Sequence, residues 1–244
     1  MSRFKITIQY DGTNYFGWQM QSQKRTIQKE IETSLAPLNA DKRVVVTGAG
    51  RTDTGVHALG QIAHFNLNTK VKNRALQKAM NARLPSDIRI MDLVTINDEF
   101  HARHSAKRRY YRYQCLLGNN LLFKNQSWFA GEINKSKLDI LAKKIIGTQD
   151  FQSFSKLNKQ SDNTKCNIYE SKWNKTDNML IFNVCGNRFL HHMVRYLVGT
   201  MVAAAQDRLS INYFVELLNN PQKQVQIFKA PAEGLILIGI DYEE

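Results

Sequence analysis

Arg51 and Asp53 stand two apart in the stretch Thr47-Gly48-Ala49-Gly50-Arg51-Thr52-Asp53-Thr54-Gly55-Val56-His57-Ala58. A carboxylate whose charged form is favoured by a neighbouring guanidinium can act as a nucleophile or a general base without a cofactor. Three glycines within eight residues punctuate the stretch, where glycine tolerates positive φ or a close backbone approach. An isolated Asp in a glycine-rich turn is more often a turn former than a catalyst. The surrounding residues therefore decide its role.

A second chemically loaded segment runs from His101 to Tyr113. Arg103, Lys107, Arg108, Arg109 and Arg112 interleave there with Tyr110, Tyr111 and Tyr113. Cations among aromatics offer phosphate contacts and stacking surfaces, which looped or single-stranded RNA can use. On a strand Tyr111 and Tyr113 share one face and Tyr110 and Arg112 the other. The bland alternative is a solvated basic strand with tyrosines half in the core. Arg195 lies among apolar residues, so its guanidinium needs a carboxylate or phosphate partner.

Other chemistries find little support. His191 and His192 are adjacent, which on a helix splays them about 100° apart. His101 and His104 lack cysteine or carboxylate neighbours at ligand spacing. We expect no metal site and, without a Walker loop or a glycine fingerprint opening a helix, no nucleotide cofactor. No nucleophile elbow is present either.

These residues need a scaffold. Phe4, Ile6, Ile8 and Tyr10 alternate with polar residues as in a half-buried strand. Thr26 is an N-cap candidate for a helix with Ile27, Ile31, Leu35 and Leu38 on one face. Val44-Val45-Val46 reads as a buried strand feeding the Asp53 loop. Strands follow at 61–67 and 89–96, with a helix carrying Leu76, Met80 and Leu84 between them. The second half repeats the alternation: a strand over 110–117, a helix around Leu138, Leu141, Ala142 and Ile145, and strands at 168–173 and 179–185. A long helix is expected from near Phe189, then a shorter one capped by Ser210, and a closing strand over 235–242. The segment 158–167 has loop composition. The reading is α+β, in two halves, 1–104 and 105–244, sharing a continuous sheet.

The totals constrain partners. The 244 residues carry 34 Lys+Arg against 21 Asp+Glu, and +13 favours a polyanion. Cys115, Cys166 and Cys185 form no C-x-x-C pair and read as reduced thiols. Met1–Lys5 runs into a strand with no apolar leader, and the uncharged run 196–206 is too short to span a bilayer. We expect a cytoplasmic protein with no membrane partner.

Gly48–Ala58 closely resembles the active-site motif of the tRNA pseudouridine synthase A family. The likeness extends through Tyr10–Gln19, Asn81–Pro85 with Asp87-Ile88, Phe100–Arg103, Tyr111-Arg112-Tyr113, Asp150-Phe151 with Ser153-Phe154, Gly186–Arg195 and Ala230–Leu235, nearly the whole chain. The resemblance implies the pseudouridine synthase fold: a mixed, mainly antiparallel sheet from two related α/β halves, with flanking helices and a basic cleft between them. It implies isomerisation of uridine to pseudouridine at positions 38, 39 and 40 in the anticodon stem-loop of tRNA, by a homodimer. Asp53 matches the catalytic aspartate, acting as nucleophile at the sugar or removing its 2′ proton. Arg51 matches an arginine that helps the nucleotide out of the stack. Tyr111 matches a tyrosine packing on the target base, and Arg195 a basic partner of the carboxylate. We expect further substrate contacts from His57, Arg103, Lys107, Arg109 and Arg112. Two other classes compete: a non-catalytic RNA-binding protein or RNA chaperone, which would tolerate Asp53→Asn, and a metal-dependent nuclease using Asp53 and His57, which would need a second carboxylate cluster.

Overall fold

The computed structural model describes residues 1–118, 120–156 and 163–243. It divides into two compact units, Met1–Lys107 with Leu237–Glu244, and Arg108–Ile236.

The first unit opens with β1 (Ser2–Tyr10), whose alternation buries Phe4, Ile6, Ile8 and Tyr10 as expected. Helix α1 (Ile27–Leu35) follows, then the two-residue β2 (Thr47–Gly48), the long β3 (His57–Leu67), helix α2 (Asn73–Asn81) and β4 (Ile88–Ile96). Strand β1 lies between β3 and β4, antiparallel to both, with Ile6 opposite Ala63 on one side and Leu93 on the other. The β1–β3 register slips between Ile8 and Tyr10. Such a bulge re-aims the strand ends, here where β3 leaves the Asp53 loop. Ile27, Ile31 and Leu35 form the buried face of α1, and Leu76 and Met80 that of α2. Gln77 and Asn81 of α2 donate to the Ile90 carbonyl, and Asn81 Oδ1 accepts from the Ile90 amide. Side-chain amides thus occupy backbone groups of β4 that would otherwise invite another chain.

Two expectations for this unit are corrected. Val44-Val45-Val46 is extended but is not a strand of the sheet. Its backbone groups are taken by α1: the Val46 amide donates to Glu32 Oε1 at 3.0 Å and the Val46 carbonyl accepts from Gln28 Nε2 at 3.0 Å. Val44 and Val46 are buried while Val45 is 59% exposed. Thr26 occupies the N-cap position, but its buried hydroxyl makes no capping bond.

The second unit contains β5 (Arg108–Leu116), β6 (Trp128–Phe129), α3 (Lys135–Lys144), β7 (Gly147–Asp150), β8 (Lys165–Lys175), β9 (Met179–Gly186), α4 (Met193–Ala205) and α5 (Ile211–Asn219). The sheet order is β5-β9-β8-β7, antiparallel throughout, with β6 alongside β5 in parallel. Helix α4 is buried along nearly its whole length and carries only one charge, Arg195. That is why its sequence shows an apolar run rather than a stripe. Leu138, Leu141 and Ala142 bury one face of α3, and the Ser210 hydroxyl caps α5 by accepting from the Tyr213 amide, both as expected. The long helix begins at Met193, not near Phe189, because His192 adopts a left-handed backbone, φ +62°. Residues 158–162 of the expected loop lie outside the described residues, and β8 already begins at Lys165. The three cysteines are free and buried.

The chain closes with β10 (Leu235–Asp241), which pairs with β3; its Leu237–Asp241 part belongs to the first unit. No helix among the described residues is long and apolar enough to cross a membrane.

One buried histidine is expected to make the first unit less stable in acid. His64 on β3 is 7% exposed, and its Nδ1 accepts from the Ala102 amide at 3.2 Å. Burial first, then the nearby His101 and Arg3, lower its pKa from 6.5 to about 4. As pH falls from 6.5 towards 4 the unfolded chain takes up this proton and the folded chain does not. The contribution is therefore complete above pH 6.5 and drains away below it. Between pH 7 and pH 5 we expect wild-type stability to fall by of order 2 kcal/mol more than that of His64→Gln, read by urea denaturation.

Candidate active site

Asp53 begins a four-residue turn. The Val56 amide donates to the Asp53 carbonyl at 3.2 Å, and Gly55, at φ +79°, takes the position that needs a left-handed backbone in a type II turn. The spacing Asp-Thr-Gly-Val is thus a turn specification as well as a possible site. The side chain of Asp53 is half-buried.

The residues of the Tyr10–Gln19 stretch form the cradle of this turn. Tyr10 Oη meets Thr52 Oγ1 at 2.8 Å, the Trp18 amide donates to the Thr52 carbonyl at 3.1 Å, and the Gly55 amide donates to the Tyr15 carbonyl at 3.2 Å. The Gly12 Cα lies against Val56, where a Cβ would stand 2.0 Å from the Val56 carbonyl oxygen. Upstream, the Ala49 amide donates to the Ile62 carbonyl at 2.8 Å and Gln61 Nε2 donates to the Gly50 carbonyl at 2.9 Å. A loop whose backbone donors and acceptors are this fully engaged holds its carboxylate in one place, as catalysis requires.

A further layer fixes the cradle. Arg25 lies 4.2 Å over the Tyr15 ring and donates to both Asp87 oxygens at 3.1 and 3.2 Å, and the Tyr15 hydroxyl also donates to Asp87. Burial raises the Tyr15 pKa and Asp87 raises it further, so the hydroxyl stays a donor. The Asn81–Asp87 stretch matters here through Asp87. Buried Glu32 holds the entry to the loop: Oε1 accepts from the Val46 amide and Gln28 Nε2, each at 3.0 Å, and Oε2 accepts from Arg43 at 2.6 Å. Sequence reading passed over Glu32. The signal was present in the Gln28–Glu32 pair, four apart and beside the apolar stripe of α1. We expect Glu32→Ala to cost about 2–4 kcal/mol in urea unfolding, since it strands the buried Val46 amide and takes an acceptor from buried Gln28. Glu32→Gln, which keeps one acceptor, should cost less than half as much.

Arg51 is exposed on the loop that carries Asp53. His57, expected to touch substrate, is only 5% exposed. Its Nδ1 stands 3.1 Å from both the Gly12 amide and Asp11 Oδ1, so it accepts from the amide when neutral and donates to the carboxylate when protonated. Burial would raise the Asp11 pKa, but hydrogen bonds from the Thr13 hydroxyl and amide, aided by His57, bring it below the ordinary value. His57 is an anchor of the loop's exit. Arg103 and Lys107 are exposed on the same unit.

The second unit carries the other expected residues. Tyr113 is fully buried and donates to the Pro231 carbonyl at 2.8 Å. Tyr111, two residues earlier on the same face of β5, is half-buried with its ring edge-on to Phe189 at 5.2 Å. Arg109 donates to the Asn187 carbonyl, and Arg112 Nε to Asn183 Oδ1 at 3.3 Å. Arg195, in the first turn of α4, donates from Nε to the Ala230 carbonyl at 2.8 Å, and its own carbonyl accepts from the Ala230 amide at 3.0 Å. The Gln114 amide donates to the Gly234 carbonyl at 2.9 Å. The Ala230–Leu235 stretch is therefore the strap that sets both Arg195 and Tyr113.

A family model described as tRNA pseudouridine synthase matches residues 6–105 and 141–243. The chain is 39% identical to a tRNA pseudouridine synthase A of Dictyoglomus turgidum, over 99% of this chain and all of that one. It is 36% identical to the protein of that name from Listeria monocytogenes, over all of both chains, and 36% identical to that of Maridesulfovibrio salexigens, over all of this chain and 92% of that one. The chain belongs to the tRNA pseudouridine synthase family, an isomerase family of α+β pseudouridine synthase fold.

Proposed function

We propose that this protein isomerises uridine to pseudouridine in the anticodon stem-loop of tRNA, at positions 38, 39 and 40, with Asp53 as nucleophile. The carrying observation is the Asp53 turn, held by the Tyr10–Trp18 cradle and by Gln61, in a chain of this family. In the reaction the N1–C1′ bond breaks, the uracil turns, and C5 bonds to C1′. The proton lost from C5 is balanced by one gained at N1. No electron is transferred and no group is imported, so the chemistry calls for no cofactor.

The roles follow the family resemblance. Arg51, exposed beside the turn, helps the nucleotide leave the stack, a step costing a few kcal/mol that phosphate contacts and stacking offset. Tyr111 packs on the detached base and assists removal of the C5 proton. Arg195 pairs with the catalytic carboxylate. Arg103, Lys107, Arg109 and Arg112, with the net charge of +13, supply phosphate contacts. We further propose a cytoplasmic homodimer with one tRNA lying across both subunits.

The test maps pseudouridines in bulk tRNA from cells lacking this protein. We expect loss confined to positions 38, 39 and 40. Persistence at all three refutes the assignment.

A further inference from the structure

Phe16 breaks the pattern of its own segment. Its neighbours Tyr15 and Trp18 are 1% and 2% exposed, whereas Phe16 is 43% exposed. Single apolar residues on a surface are ordinary and need no purpose. Three features set this one apart.

The first is position. The Tyr15 carbonyl accepts from the Gly55 amide at 3.2 Å, and the Trp18 amide donates to the Thr52 carbonyl at 3.1 Å. The backbone on either side of Phe16 is thus bonded to the residues on either side of Asp53. The second is rigidity. The Phe16 amide donates to the Arg25 carbonyl at 2.9 Å, and the Phe16 carbonyl accepts from Gln21 Nε2 at 2.9 Å. Arg25 is itself held by Asp87 and by Glu30 at 3.2 Å. The third is charge: exposed Lys24 holds Nζ 4.3 Å from the centroid of the Phe16 ring. An ammonium over an aromatic face is attracted by the ring quadrupole. The pair presents an apolar plane with a cation at its edge, fixed in the frame of the catalytic loop.

A nucleobase with its 5′ or 3′ phosphate is the ligand that matches. Bases stack on protein aromatics irrespective of sequence, and a lysine beside the ring can meet the phosphate as a point charge. Resting on the pseudouridine synthase reading, we infer that Phe16 and Lys24 are positioning residues that hold a nucleotide adjacent to the target uridine, Phe16 by stacking and Lys24 by its phosphate. Through this contact the enzyme grips the strand next to the base it extrudes. Neither side chain touches the reacting atoms.

The test uses the full-length protein and an unmodified anticodon stem-loop RNA carrying 2-aminopurine on one side or the other of the target uridine. Wild type should quench the probe on one side. Phe16→Ala should abolish that quenching and weaken RNA binding about tenfold, the scale of one lost base stack. Phe16→Leu, which keeps apolar bulk without a ring, should behave like Phe16→Ala, and Phe16→Trp should restore both readouts. Lys24→Met should weaken binding several-fold and reduce the slope of log Kd against log salt by about 1. Circular dichroism matching wild type confirms that the variants fold. Full quenching and wild-type affinity in Phe16→Ala, in a protein that still makes pseudouridine, overturns this inference alone. So does rescue by Leu as good as by Trp, or a change in self-association with RNA affinity untouched. A wild-type protein that makes no pseudouridine overturns the functional reading, and this inference with it.

Discussion

Asp53→Asn is expected to lower pseudouridine formation by about 10³-fold or more while leaving tRNA affinity within about twofold. The asymmetry follows from where the residue stands. Asp53 contributes its backbone carbonyl to the turn, through the Val56 amide, and the amide variant keeps that bond. Side-chain volume is also unchanged, so the cradle of Tyr10, Tyr15 and Trp18 has no reason to move. What disappears is an anionic oxygen able to bond to C1′, which an uncharged carboxamide cannot replace. On the proposed function, binding draws on phosphate contacts from the basic residues of 103–112 and should persist. Single-turnover assays on a uridine-containing stem-loop separate the two quantities. Loss of affinity in parallel with rate would mean that Asp53 holds RNA rather than transforms it.

Gly12→Ala is expected to have the largest effect on stability of any single methyl addition near the site, about 3 kcal/mol or more. The added Cβ would stand 2.0 Å from the Val56 carbonyl oxygen and 2.6 Å from its carbon. Both are backbone atoms of the turn that carries Asp53, so the clash cannot be relieved by turning a side chain. Either the Tyr10–Trp18 segment separates from the turn or the turn opens. For a chain of this size the cost corresponds to roughly 6–12 °C in Tm, with activity falling further than stability because the carboxylate is displaced. Gly50→Ala is the contrasting control in the same loop: a Cβ there meets nothing within 4 Å. Its effect on stability should stay within about 0.5 kcal/mol. Equal destabilisation by the two substitutions would contradict the cradle.

Much of this arrangement was legible in the residues and some was not, and the division has a physical basis. Periods of two and of about 3.6 report burial directly, so β1, the faces of α1 and α2 and the Ser210 cap match the reading, except that Leu38 and Leu84 lie beyond the ends of α1 and α2 and are only half-buried. Val44–Val46 did not, because whether an apolar run joins a sheet depends on who takes its backbone hydrogen bonds. Gln28 and Glu32, many residues upstream, take those of Val46. The start of α4 was displaced because one left-handed residue, His192, can end an extension of the helix that composition alone permits. The site shows the same contrast. Asp53, Tyr111 and Arg195 are singled out by the motif resemblance and carry the proposed function, while the strand period places Tyr113 with Tyr111 on one face of β5. His57, among the expected substrate contacts, is buried with its Nδ1 beside the Gly12 amide and Asp11, a placement that its position in the motif does not reveal. Sequence proximity reports which groups are available; hydrogen bonding decides which are already engaged.

The most direct test follows tritium from C5 of uridine in an unmodified tRNA transcript, with purified protein in excess chelator. Forming the C5–C1′ bond expels the C5 hydrogen, so each isomerisation releases one. We expect release to match pseudouridine stoichiometrically at positions 38 to 40, with an intact strand and with Asp53→Asn silent. Strand scission, or RNA bound without tritium release by the wild-type protein, would contradict a carboxylate-driven isomerisation.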